Sequence, residues 1–127
     1  MVDYQIQVNK DKGYLICVIE GLASRQDMTE VLGALQAETR AANLGSWLLD
    51  VRKAKNLSDP FDAYRFANHD MPKLDISHRF KIAVLTDPMD TSNEFSQLAA
   101  VNAGYQVELF KDEELAFQWL GIAKDPQ

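Results

Sequence analysis

The residues with the means to do chemistry are few and scattered. Asp50 follows the apolar run Trp47-Leu48-Leu49, His69 and His78 flank Pro72, and Ser58 precedes Asp59-Pro60. A carboxylate at a strand end beside a histidine is the raw material of general acid–base chemistry, provided Asp50 and His78 converge. The two histidines lack the i, i+4 spacing of a helical ligand pair, so with Asp70 and Asp75 they read better as surface or partner-contact groups than as metal ligands. Asp87 and Asp90, around Pro88, read as turn and helix-entry residues. Phosphate on Ser58 would meet a helix start and Lys53 or Lys55, with Asp59 opposing it. Turn chemistry accounts for Ser before Asp-Pro equally well. The sequence contains no G-x-x-x-x-G-K-[ST], G-x-G-x-x-G or G-x-S-x-G, so neither a phosphate cradle nor a hydrolase elbow has support. No catalytic residue, metal or cofactor is assigned, and the chain reads as non-enzymatic.

Positioning these groups falls to a chain of 127 residues, enough for one domain with its own core. Hydrophobic residues at 46% and charged residues at 25% are ordinary for a globular protein. The formal charge of −6 argues against nucleic-acid binding, which needs a basic face. The longest apolar runs fall far short of the roughly 20 residues that cross a bilayer. Met1-Val2-Asp3-Tyr4 lacks the n- and h-regions of a signal peptide. The single cysteine, Cys17, reads as a buried, inert thiol. A cytoplasmic location, peripheral at a membrane if membrane-bound, follows from these features.

The charge is unevenly spread. Residues 52–81 carry seven basic against four acidic residues, a local +3, and the remainder carries six against fifteen, or −9. Aromatics accompany the basic segment. On a helix, Phe61 and Tyr64 share a face, whereas Phe66 lies about 200° from Tyr64. One reading packs Phe66 under the loop that follows and solvates the charges. The other makes Arg52, Lys53, Lys55, Phe61, Tyr64, Arg65, Phe66, Lys73, His78 and Arg79 a partly apolar, basic patch. Such a patch would suit an anionic headgroup, a small apolar ligand or an acidic protein surface.

Pattern and punctuation place the elements. Tyr4–Val8 alternates and Asn9–Gly13 is a polar turn, so Tyr14–Ile19 should return antiparallel, with Gly21 stopping it. Ser24 and Asp27 stand in N-cap spacing before a helix over Arg25–Ala41. Ser46–Val51 and Ile82–Leu85 are apolar enough to be buried on both faces. Asp59-Pro60 should open a helix ended by Met71-Pro72. Thr91 and Glu94 suggest a capping box, with Phe95, Leu98 and Ala99 inward and Gly104 closing the helix. Gln106–Phe110 is the last strand. Asp112 then caps a helix with Leu115, Ala116, Trp119 and Leu120 inward and Phe117 outward, where it could contact a second copy in a homodimer. Gly121 ends that helix, and Asp125–Gln127 reads as a frayed tail.

Strand–helix pairs repeated in this order resemble the SpoIIAA-like group, which includes the STAS domains and a branch compared with SEC14-type lipid carriers. The carrying residues are Trp47-Leu48-Leu49-Asp50-Val51, Arg79-Phe80-Lys81-Ile82-Ala83-Val84-Leu85, Asn102 through Phe110, and Glu114 through Leu120. The resemblance implies one α/β domain over 1–127, with a mixed five-stranded sheet, the first strand antiparallel, and four helices. Membrane-surface association and apolar-ligand carriage follow from it, with a movable flap between Gly45 and Pro72. For the anti-sigma-factor antagonists of the group it implies a protein partner and a phosphoacceptor serine. Ser58 is the matching candidate, although Leu57-Ser58-Asp59-Pro60 replaces their Asp-Ser-Ser-Gly. A response-regulator receiver is resembled more superficially, with Asp50, Thr86 and Lys111 as its phosphorylation set. Only Glu20 is available there for the acidic metal cluster, and a strand–helix pair is missing.

Overall fold

The computed structural model describes residues 2–122. Five strands lie in the sheet in their chain order: β1 (Val2–Asn9), β2 (Tyr14–Ala23), β3 (Ser46–Asn56), β4 (Lys81–Leu85) and β5 (Gln106–Phe110). β1 runs antiparallel to β2, and every later neighbour is parallel. Among the described residues four helical segments follow: α1 (Arg25–Ala42), a composite segment, α4 (Glu94–Asn102) and α5 (Glu113–Leu120). The composite runs α2 (Pro60–Arg65), a π-turn over Phe66–Asp70, then α3 (Met71–Lys73). This is the mixed sheet and helix set that the sequence implies.

Alternation along the strands divides the core in two. Trp47 and Leu49 of β3, with Ile82 and Val84 of β4, meet Leu32 and Leu35 of α1, Met71 and Ala100. Their neighbours Leu48, Ala83 and Leu85 face the opposite way and pack on Ala116, Phe117 and Leu120 of α5. Three helical segments therefore cover one face and α5 alone covers the other. Trp47 is fully buried, edge-on to Phe80 at 4.9 Å, and its Nε1–H donates to Thr39 Oγ1 at 2.7 Å. Cys17 is buried, and loss of solvent pushes its thiol up to about 12.

Several caps form as expected. Ser24 and Asp27 form a reciprocal box, Asp59 Oδ1 accepts from Asp62 N at 2.7 Å, and Asp112 caps α5. Other expectations need correction. Gly21 does not stop β2. At φ 111 it carries the strand past a bulge to Ala23, and β3 extends beside it beyond the expected Val51 to Asn56, so that Arg52, Lys53 and Lys55 lie on strand. Thr91 caps nothing through its side chain, because Asn93 takes the N-cap position. Phe95 and Leu98 face outward, while small Ala100 is buried and Ala99 and Ala103 pack against the core. Phe117 is buried and Leu115 exposed, the reverse of the expected arrangement, which removes Phe117 as a dimer contact. The helix also continues through Pro72 to Lys73. The expected fray at Asp125–Gln127 lies outside the described residues.

Candidate functional site

The π-turn lies over a cavity of about 80 Å³ between the helical layer and the sheet. Its floor is a lateral row of side chains that parallel pairing brings together: Leu49 beside Val84, and Val84 beside Leu109. Ile82 and Val107 extend the floor, while Phe66, Met71, Leu32 and Ala100 close it from the helices. Pro72 explains the widened turn. It has no N–H, and its ring would strike the Asn68 carbonyl in a regular helix. Instead Met71 N–H reaches back five residues to Phe66 O, a π-type bond. Phe66 is thereby directed inward, half-buried, while Phe61 and Tyr64 are 65% and 61% exposed.

An ion pair ties the turn down. Arg25 on α1 donates through Nε to Asp70 Oδ2 at 2.6 Å and through Nη2 to Oδ1 at 3.0 Å. Thr29 Oγ1 adds a bond of 3.3 Å. The Arg25 hydrogen bonds hold the Asp70 carboxyl below the usual carboxylate range, against the opposing effect of burial.

The other end of the cavity is polar. Asn56 Nδ2 donates to Ser96 Oγ at 2.9 Å and to Asn93 Oδ1 at 3.3 Å, and Asn56 Oδ1 accepts from Ser58 N at 2.9 Å. Gln97 Nε2 closes one side by donating to Val107 O at 2.9 Å.

The sequence-predicted residues divide between this site and its surroundings. Phe66 and Ser58 line the cavity, with Ser58 half-buried at the polar end. Phe61, Tyr64 and Arg65 are exposed on α2, with the Arg65 guanidinium 5.7 Å from the Phe61 ring centre. Arg52 pairs with Asp50 at 2.7 Å, Lys55 with Asp90 at 3.4 Å and Lys53 with Glu20 at 3.9 Å. Lys73 and Arg79 are exposed, and among the described residues neither pairs with a carboxylate. His78 stacks on Tyr105 at 4.1 Å, just before β5 begins, whereas Asp50 pairs with Leu85 where β4 ends. Asp50 and His78 thus sit at opposite ends of the strands and form no acid–base pair. Arg52 holds Asp50 ionised against the cost of its partial burial. Thr86 is buried and its hydroxyl donates to Phe110 O at 3.4 Å, while both Asp50 carboxylate oxygens are engaged by Arg52. Among the described residues no three His, Cys, Asp or Glu side chains gather as a metal site.

Sequence reasoning missed the Asn56–Asn93–Ser96 cluster and the Arg25–Asp70 tie. The first left a signal, since Asn93 and Ser96 stand at i, i+3 and share a helix face. It also missed the groove between α2 and α4, where Pro60, Tyr64, Phe95 and Leu98 lie with Asn68 and Asn102.

No family model matches the chain, and no curated protein matches it. Solved structures do. An uncharacterized DUF3478-family protein with a SpoIIAA-like fold, from Shewanella loihica PV-4, superposes with a TM-score of 0.57 at 22% identity, covering 94% of this chain and 93% of that one. An anti-sigma factor antagonist from Mycobacterium paratuberculosis gives 0.61 at 10% identity, covering 95% of each chain. Unphosphorylated SpoIIAA, itself an anti-sigma factor antagonist, gives 0.55 at 13%, covering 94% of this chain and 100% of that one.

The chain has a SpoIIAA-like fold. In this SpoIIAA-like domain the cavity lies beneath the helical segment that joins β3 to β4, and Ser58 sits just ahead of that segment. Among the described residues no helix is long and apolar enough to cross a membrane.

Proposed function

We propose that this SpoIIAA-like domain works by binding, and that a small apolar molecule is held in the cavity beneath the π-turn. The carrying observation is the cavity: an apolar floor from three strands, a helical cover pinned by Arg25–Asp70, and a hydrogen-bonded cluster of Asn56, Ser58, Asn93 and Ser96 at one end. Benzene enters an apolar protein cavity of about 150 Å³, and a ligand that binds only the folded state raises its stability. Benzene-saturated buffer should therefore raise the unfolding midpoint, and Ala100→Leu, which fills the space, should abolish the rise. No rise in the native protein would sink the reading. The exposed Phe61, Tyr64 and Arg65 at the same segment suit contact with an anionic or membrane surface.

A second reading is favoured by the comparisons, since two of the similar structures are anti-sigma factor antagonists. It makes this chain a regulatory module that binds a protein across the α2–α4 groove, with its exposed Tyr64, Phe95 and Leu98. Exposed rings beside one another mark such surfaces. A photo-crosslinker in place of Leu98 should capture one discrete protein in the source cells, and capture of none would count against it. Ser58 as its phosphoacceptor is supported less by position, being half-buried with its N–H bonded to Asn56. Intact-mass measurement on protein from the source cells would detect the added phosphate.

A further inference from the structure

The polar end of the cavity contains a donor with nothing to bond. A backbone N–H only donates, so the bond from Ser58 N fixes Asn56 Oδ1 as the acceptor and turns Asn56 Nδ2 toward Asn93 and Ser96. Asn93 must then present its oxygen to Asn56, which leaves Asn93 Nδ2 as the free end. That nitrogen is buried and has no hydrogen-bond partner, although Asn93 lines the cavity. Buried donors are costly to leave unpaired. Arg25 is the one cationic residue among the described lining residues, and Asp70 engages it through two bonds. No uncommitted positive charge therefore faces the interior, and a carboxylate placed there would be buried without a counter-charge.

We infer that the cavity is built for a short, uncharged amphiphile: an alkyl part over Leu49, Val84 and Leu109, and a hydroxyl, carbonyl or ether oxygen accepting from Asn93 Nδ2. The inference rests on the ligand-binding reading above and specifies its ligand. A water-sized group needs about 10–15 Å³, so a cavity of about 80 Å³ takes on the order of six non-hydrogen atoms.

Methyl NMR of the full chain, titrated at pH 7.5 with 1-pentanol and separately with pentanoate, tests this. Pentanol should shift the methyls of Leu49, Val84 and Leu109, and pentanoate at the same concentration should leave them in place. Asn93→Leu should weaken pentanol binding roughly 3–10-fold, the worth of one hydrogen bond. If that variant does not fold, Asn93→Asp, which turns the donor into an acceptor, must weaken it similarly. Pentanoate binding as tightly as pentanol, or unchanged affinity without the Asn93 donor, overturns the inference while leaving the cavity a binding site. Failure of both probes to bind removes the binding site as well.

Discussion

Trp47 and Trp119 show what a single residue's identity does and does not settle. Both read as core tryptophans, yet Trp47 has no exposed surface, whereas Trp119 is half-buried, tilted against Phe110 at 5.7 Å with Lys81 Nζ over its ring. Burial of the whole indole, with its N–H bonded to Thr39, makes Trp47→Ala cost about 3–5 kcal/mol. Trp119→Ala removes a ring still partly in water and should cost less than Trp47→Ala by the same scale. Chemical denaturation of both variants checks the contrast, and equal losses would contradict the two burials. Trp47 was legible because Leu48, Leu49 and Val51 surround it with an apolar run that only a doubly covered strand explains. The face of α5 was not. Leu115, Ala116, Phe117, Trp119 and Leu120 are apolar on nearly all sides of that helix, so periodicity cannot choose a stripe. The choice is tertiary: Phe117 finds Tyr14 edge-on at 5.7 Å, and Leu115 is left to solvent.

Among the elements, the β3–β4 connection departs most from its sequence pattern. Asp59-Pro60 was a reliable start because a capping carboxylate and an N1 proline satisfy unpaired helix groups locally. Pro72 was a misleading end. Its clash could be relieved either by stopping the helix or by widening the turn before it, and only tertiary contact chooses between them. Arg25, forty-five residues away from Asp70 in sequence, supplies part of that contact. The tie has a pH signature. The Asp70 pKa is lowered in the folded protein, chiefly by its bonds from Arg25, so the unfolded state binds the proton more readily. The contribution is therefore present above the ordinary aspartate value of about 3.9 and is lost as pH falls through the lower folded value. Asp70→Ala should lower the unfolding midpoint at pH 7, and the gap from the native protein should close progressively in acid. A gap independent of pH would show that packing, not the ion pair, accounts for the loss. The outward face of α4 follows a simpler rule that the sequence concealed. Ala99, Ala100 and Ala103 allow the helix to lie close to the core, and this turns Phe95 and Leu98 away.

For the molecule as a whole, the segregation of +3 in residues 52–81 against −9 elsewhere is a property of sequence that folding partly cancels. β3 carries Arg52, Lys53 and Lys55 to Asp50, Glu20 and Asp90, so three of the seven cations face carboxylates close by. Arg65, Lys73 and Arg79 stay exposed, and the Arg65 guanidinium stands over Phe61 near exposed Tyr64. Such a surface suits weak contact with anionic lipid: each cation near the headgroups contributes about 1 kcal/mol, and the rings favour the interface. The formal charge of −6 works against it, with screening over about 8 Å at physiological salt limiting both effects. Binding to phosphatidylserine vesicles is therefore expected at low ionic strength only. Arg65→Glu should abolish it, whereas Arg52→Glu, at a residue already joined to Asp50, should weaken it less. Co-sedimentation of the three proteins at low and physiological salt decides: no native protein in the pellet at low salt eliminates membrane contact, and equal losses for the two substitutions would show a diffuse charge effect with no docking face on α2.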